Sequence, residues 1–218
     1  MSIPLYFAMP WEASGSHEAN QKAQLGFCFH NDAALSVPEQ IIPNCPIIIN
    51  DANLPKQIPG QTTISNIIAL SSCGCILDFE RKPSDWSRSF IKDLELQLPE
   101  TSLFAVPSAY YQFTKRAAAI IPTDKPVNSW TQFCRKIQAQ YEKWMLEIIP
   151  QIKTVPQNIK SGKPQKVSDS VCFCRSGNNA ISYYDTFETI LSKLEIAEYY
   201  GCIAGIGLHY ELENLKNK

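Results

Sequence analysis

Short apolar runs, each closed by Pro, Gly or a polar turn, recur along the chain, and from Thr62 onward they alternate with longer stretches whose apolar residues fall every three or four positions. The first pattern predicts strands and the second helices. Strands are predicted at Leu5–Ala8, Phe27–Phe29, Ile47–Ile49 (between Pro46 and Asn50-Asp51), Gly74–Glu80, Leu103–Val106, Ala117–Ile121, Val171–Cys174 and Gly201–Leu208. A helix is predicted from Thr62 or Thr63, with Ile64, Ile67, Ile68 and Ser71 in helical spacing, to the turn before Gly74. A second begins at Ser84 or Asp85, which can cap it, carries Trp86, Phe90, Leu94 and Leu98 on one stripe, and stops at Pro99. A long one is predicted from Asn128 or Ser129 to Pro150, with Trp130, Phe133, Ile137, Tyr141, Trp144 and Ile148 on its buried side. The last runs from Thr186 to Tyr200, and the Pro- and Lys-containing stretch 154–166 reads as an exposed loop.

Strands alternating with helices give a parallel α/β fold, and about eight candidate strands favour closure over an open sheet. The fold class expected is therefore a small (β/α)8 TIM-type barrel, one α/β-barrel domain over residues 1–218. At 218 residues the chain is close to the lower limit for that architecture, so some connections must be short. The first third, where the segments between strands are Pro-rich or polar, is where they are expected to be short or irregular.

One strand stands out, because two carboxylates end an otherwise apolar run: Gly74-Cys75-Ile76-Leu77-Asp78-Phe79-Glu80. Side chains alternate along a strand, which places Ile76, Asp78 and Glu80 on one face and Cys75, Leu77 and Phe79 on the other. In an α/β barrel, acids at the carboxyl end of a strand sit where the loops carry chemistry, whereas acids deeper in the strand would have to be desolvated. A purely structural use stands beside this: the same two acids could cap the following helix or pair with Arg81 and Lys82.

With 44% hydrophobic and 19% charged residues the chain can bury a sizeable core. Its net charge of -1, without a dense basic run, argues against nucleic acid as a partner. The first ten residues have no basic segment and too short an apolar run for a signal peptide or membrane span, which predicts a cytoplasmic protein. The eight cysteines fall mostly within apolar segments, the placement of reduced core thiols rather than of a secreted disulfide framework. Two C-x-C pairs, Cys73 with Cys75 and Cys172 with Cys174, raise zinc, but the spacing is not that of structural zinc sites and only His17, His30 and His209 could assist. No metal is expected. Gly205-Ile206-Gly207 lacks the rest of a dinucleotide fingerprint, neither a P-loop nor a G-x-S-x-G elbow occurs, and no cofactor is expected.

The run Gly74 to Glu80, followed by a helix and by Phe104-Ala105-Val106-Pro107, resembles the fourth and fifth barrel strands of chitinase-type (family 18) glycosidases, in particular their spore-cortex and peptidoglycan-associated branch. Tyr184 to Leu212, with Gly205-Ile206-Gly207-Leu208-His209-Tyr210, resembles the last helix and strand of the same family, and the likeness covers roughly residues 62 to 212 in order. The resemblance implies that Glu80 is the general acid and that Asp78 orients the substrate's N-acetyl group, whose carbonyl oxygen attacks the anomeric carbon, the substrate-assisted variant of glycoside hydrolysis. It also implies Asp124 and Tyr210 as substrate-binding positions. The chain departs from the family at Ile76, where an Asp is common, at Ile120-Ile121-Pro122-Thr123-Asp124, where the usual Tyr before the Asp is missing, and at Tyr210, where the floor residue is commonly Trp. Tyr110 or Tyr111, just beyond the fifth strand, could replace the missing Tyr; an aromatic there is also an ordinary core or rim residue.

The function expected is hydrolysis or binding of an oligosaccharide or polysaccharide that contains N-acetylglucosamine; the alternative is a barrel that keeps a carbohydrate-binding cleft without turnover. An aldolase- or lyase-like barrel would need a Lys at a strand end, and Lys115 and Lys125 fall in loops or turns. Pro107 and Arg175 are expected at the same barrel mouth as the acids. The thiol reading gives a direct expectation: mass spectrometry of the native protein without reductant finds most cysteines free and no bound zinc. Stoichiometric zinc lost on replacing Cys172 and Cys174 would contradict it.

Overall fold

The computed structural model describes residues 3–16, 21–30, 32–53, 59–125, 127–156, 163–177 and 180–216. Eight parallel strands form the barrel: β1 (Leu5–Met9), β2 (Lys22–Phe29), β4 (Ile47–Asn50), β5 (Gly74–Asp78), β6 (Leu103–Pro107), β7 (Ala118–Pro122), β8 (Trp144–Glu147) and β13 (Cys202–Leu208). Their order is β1-β13-β8-β7-β6-β5-β4-β2, and β1 also pairs with β2, so the sheet closes on itself. A short β3 (Leu35–Ser36) adds antiparallel to β2. This is the small (β/α)8 barrel that the alternation of patterns predicts. Among the described residues the first two crossovers carry a 3-10 turn (Trp11–Ser16) and β3 but no α-helix, whereas α1 (Gln61–Leu70) and α2 (Asp85–Gln97) fill the next two, so the irregular connections do fall in the first third. Among the described residues no helix is long and apolar enough to cross a membrane.

Two compact units divide the chain: Tyr6–Ile120, and Met1–Leu5 with Ile121–Lys218. In the first, Phe27, Phe29, Ile47, Ile49, Leu77 and Phe104 pack outward against Ile64 and Ile67 of α1 and Phe90, Ile91 and Leu94 of α2. Ser84 caps α2, its hydroxyl accepting from the Ser87 amide while the Ser87 hydroxyl accepts from Ser84 N–H. That arrangement satisfies amides which the helix cannot pair internally. Gly74 opens β5 at φ +143, and a Cβ there would stand 2.5 Å from the Leu103 carbonyl oxygen of the adjacent strand.

The second unit holds β8, β13, α3 (Trp130–Gln138), α4 (Phe187–Tyr199) and α5 (His209–Lys216), with a four-stranded antiparallel sheet of order β10 (Gln165–Val167), β11 (Cys172–Gly177), β12 (Ala180–Tyr184), β9 (Gln151–Pro156). Here the structure corrects the sequence reading. The long helix expected from 128 to 150 stops at Gln138, and Trp144 to Glu147 is a barrel strand. Tyr141, Trp144 and Ile148 continue the helical spacing by coincidence, but Trp144, Met145 and Leu146 are consecutive and all buried, as in a parallel strand covered on both faces. Because β8 supplies the seventh barrel strand, the Val171–Cys174 run belongs to the antiparallel sheet. The supposed loop 154–166 contains the end of β9 and the start of β10; residues 157–162 lie outside the described residues. After β13 comes α5, a helix without a sequence signal, since only Leu212 of it is buried.

All eight cysteines are free thiols, and Cys45, Cys75, Cys134, Cys172 and Cys202 are buried. The crowding at Gly74 gives an expectation for stability: Gly74→Ala, which meets a backbone atom in a strained conformation, lowers the unfolding free energy by about 2–4 kcal/mol. Gly15→Ala, where a Cβ meets nothing within 4 Å, serves as the neutral control in urea titrations of both variants.

Candidate functional site

The site is built on the end of β5. The strand lies between β4 and β6, with Ile47, Ile48, Ile49 and Asn50 opposite Cys75, Ile76, Leu77 and Asp78 in parallel register. Cys75, Leu77 and Phe79 belong to the core that faces the helices, and the alternation of the strand then turns Ile76 and Asp78 to its other face. Asp78 is the last residue of the strand, and Glu80 lies two residues beyond it. Both are exposed, while Phe79 between them is buried. Its ring packs edge-on against Tyr110 at 5.6 Å and stacks on Phe90 at 6.1 Å.

Past Asp78 the strand ladder ends, and the backbone needs other partners. Asp51, the residue after β4 and only 3% exposed, supplies them. One carboxylate oxygen accepts the Glu80 amide at 3.0 Å and the other the Arg81 amide at 2.9 Å. The Arg81 carbonyl accepts the Tyr110 hydroxyl at 2.6 Å, and the Arg81 guanidinium donates to the Ala52 carbonyl at 3.2 Å. Residues that follow the two flanking strands, β4 and β6, thus converge on the segment after β5 that bears Glu80. Asp51 was not singled out in the sequence, although its signal is of the same kind as that of Asp78: a carboxylate just past an apolar run.

Burial, first, and then the like charges of Glu80 and Asp51 push the Asp78 carboxyl above its ordinary value. Asp78 keeps an open edge toward solvent, yet enough protein surrounds it for desolvation to lead. The Tyr110 phenol is pushed up to about 12, by burial and then by the Asp51 charge, with Arg81 acting the other way.

The remaining expected positions divide. Neither acid caps the next helix, since Ser84 does so. Tyr110, expected to touch substrate, is 2% exposed and spends its hydroxyl on the Arg81 carbonyl, so it holds the loop and offers no free phenol. Tyr111 is half-buried beside the same core. Pro107 ends β6. In the other unit, Asp124 is exposed in the loop after β7, 3.8 Å from Lys125. Tyr210, expected at the end of the last strand, is instead the second residue of α5, 52% exposed and edge-on to His209 at 5.8 Å. Arg175 is exposed on β11 of the antiparallel sheet, not at a barrel strand end. Lys115 and Lys125 are exposed outside any strand. Among the described residues no group of three or more His, Cys, Asp or Glu could hold a metal ion.

No protein-family model and no curated protein matches the chain. Solved structures do. The spore cortex-lytic enzyme SleL of Bacillus cereus superposes with a TM-score of 0.60 at 12% identity, over 97% of this chain and 71% of that one. A group IV chitinase of Ostrinia furnacalis, in complex with allosamidin, gives a TM-score of 0.57 at 9% identity over 100% and 94%. A chitinase-like agglutinin of Robinia pseudoacacia gives 0.51 at 12% identity over 88% of each chain. At such identities the likeness is one of fold: the (β/α)8 barrel of this chain is similar to those of SleL and the chitinases.

Proposed function

We propose that this protein is a glycoside hydrolase acting on a polymer that contains N-acetylglucosamine, with Glu80 as general acid and Asp78 as its partner. The observation that carries the reading is the pair of acids at the carboxyl end of the fourth barrel strand, Glu80 projecting from a backbone held at two consecutive amides. In that reading the protonated Glu80 gives its proton to the glycosidic oxygen as the bond to the anomeric carbon breaks. The acetamido carbonyl oxygen of the same sugar closes on that carbon, and the Asp78 carboxylate accepts the acetamido N–H and balances the positive charge that develops on the ring formed. Water then opens the ring, and its proton goes to Glu80. The charge of Glu80 is, after burial, one of the causes that raise the Asp78 carboxyl, so the two acids act on one another electrostatically. Tyr111, in the same unit as the two acids, is proposed as a sugar contact.

A second reading, binding without turnover, is favoured by one observation. Thr123 stands immediately before Asp124, where the resembled motif carries a hydrogen-bonding Tyr; it is buried, and its hydroxyl accepts the Ile149 amide at 3.0 Å. Loss of one preorganised donor lowers rate by about a hundred- to a thousand-fold, so a slow enzyme is expected.

The test is a screen of chitooligosaccharides and peptidoglycan fragments, measuring turnover and binding for the wild type and Glu80→Gln. Turnover is expected to fall by roughly a hundred- to ten-thousand-fold in Glu80→Gln with binding kept. Unchanged activity would place the chemistry elsewhere, and binding without turnover in both proteins would establish the second reading.

A pH profile gives an independent expectation. Since Asp78 is needed ionised and its carboxyl is raised, activity falls with decreasing pH through a value above the ordinary 3.8 of a carboxylate. In Asp78→Asn the rate is lower and that acid limb is lost; a limb that persists unchanged in the variant would show that Asp78 does not titrate it.

A further inference from the structure

We propose that Asp51 is a positioning residue for the general acid, fixing the Glu80 carboxyl through the backbone that bears it. This inference rests on the reading of Glu80 as the acid. β4 and β5 run in register only as far as Asn50 and Asp78, so the amides of Glu80 and Arg81 leave the ladder at the point where the reactive group must be held. The Asp51 carboxylate takes the place of the missing ladder acceptors with two bonds of 3.0 and 2.9 Å, one from each oxygen. Hydrogen bonds to an ionised acceptor are about twice as strong as neutral ones, and two of them on consecutive amides fix the orientation of the peptide between them as well as its position. Tyr110 closes the other side of the segment through the Arg81 carbonyl.

The burial of Asp51 sharpens the argument. A carboxylate only 3% exposed is costly unless its oxygens are occupied. Bonded to two amides of a loop that ends in an exposed acid, it holds in place a segment that the sheet no longer holds. A general acid displaced by an ångström can lose about a hundredfold in rate.

The test uses chitohexaose as probe and the full chain as wild type, Asp51→Asn, Tyr110→Phe, Glu80→Gln and the Asp51→Asn/Glu80→Gln double variant. Asp51→Asn keeps one acceptor oxygen but sets an NH2 donor against a backbone donor. Its kcat is expected to fall about 10- to 100-fold with KM within about twofold, because the ground-state contacts to sugar are untouched. The double variant is expected to be no slower than Glu80→Gln alone, since a residue that acts only through Glu80 has nothing left to position. Tyr110→Phe, which removes one bond to the same segment and keeps the ring packing, is expected to show a smaller loss in kcat. If Asp51→Asn does not fold, Asp51→Glu, which keeps the charge but moves the acceptors by one methylene, decides the matter: a fall in kcat at unchanged KM supports the role, and wild-type kcat overturns it.

Independently of turnover, the Glu80 and Arg81 amide protons are expected downfield in the wild-type NMR spectrum and are expected to move upfield in Asp51→Asn. Wild-type kcat in Asp51→Asn, or an equal loss in both backgrounds, overturns the inference while leaving the enzyme reading intact. A wild type without turnover on chitohexaose or any other chitooligosaccharide or peptidoglycan fragment overturns the enzyme reading and this role with it, and the amide shifts then report the clamp as structural only.

Discussion

Phe79 is the constraint on which the candidate site depends. Its ring sits among Phe29, Trp86, Phe90 and Tyr110, with centroids 5.6 to 6.4 Å away, and fixes which face of β5 turns to the helices. A one-residue slip of the strand would carry Phe79 to the other face and Asp78 into the apolar layer, exchanging a buried aromatic ring for a buried charge. The order acid, aromatic is therefore self-orienting: burial of the ring presents the Asp78 carboxyl on the other side. Trp86 in the first turn of α2 and Tyr110 of the turn after β6 then pack against the same ring.

Three acids illustrate how the surroundings assign roles to one residue type. Asp185 is buried and pairs with Lys193 at 2.8 Å, with Thr189 donating to the same carboxylate. Lys193 lies over the Trp130 ring, whose indole N–H donates to the Lys193 carbonyl. This closed ion pair joins α4 to α3, and removing one partner would leave the other as an unpaired buried charge, which is strongly destabilising. Asp51 is equally buried but spends its charge on two backbone amides. Burial raises the carboxyls of both Asp185 and Asp78, but Lys193 and Thr189 oppose the rise at Asp185, whereas the charges of Glu80 and Asp51 add to it at Asp78.

The sequence by itself determined the parts whose signals are local. The alternation of Cys75 to Glu80 placed Asp78 and Phe79 on opposite faces, Ser84 and Thr186 marked helix starts, Pro99 marked an end, and the count of apolar runs indicated a closed barrel. Tertiary structure decided what depends on neighbours distant in the chain. Whether Trp144 continues a helix or enters a strand is set by the hydrogen-bonding edge of β13, which pairs Trp144 with Cys202, because the local spacing satisfies both periods. Whether Val171 to Cys174 joins the barrel is likewise set by which strand takes the seventh position. The role of Tyr110 turned on a carbonyl 29 residues away, and that of Asp51 on amides 29 and 30 residues away, pairings that no periodicity encodes. Composition and period specify which face of an element is apolar; only closure of the sheet specifies which backbone groups are left unpaired at its rim, and there the side chains of this candidate site find their partners.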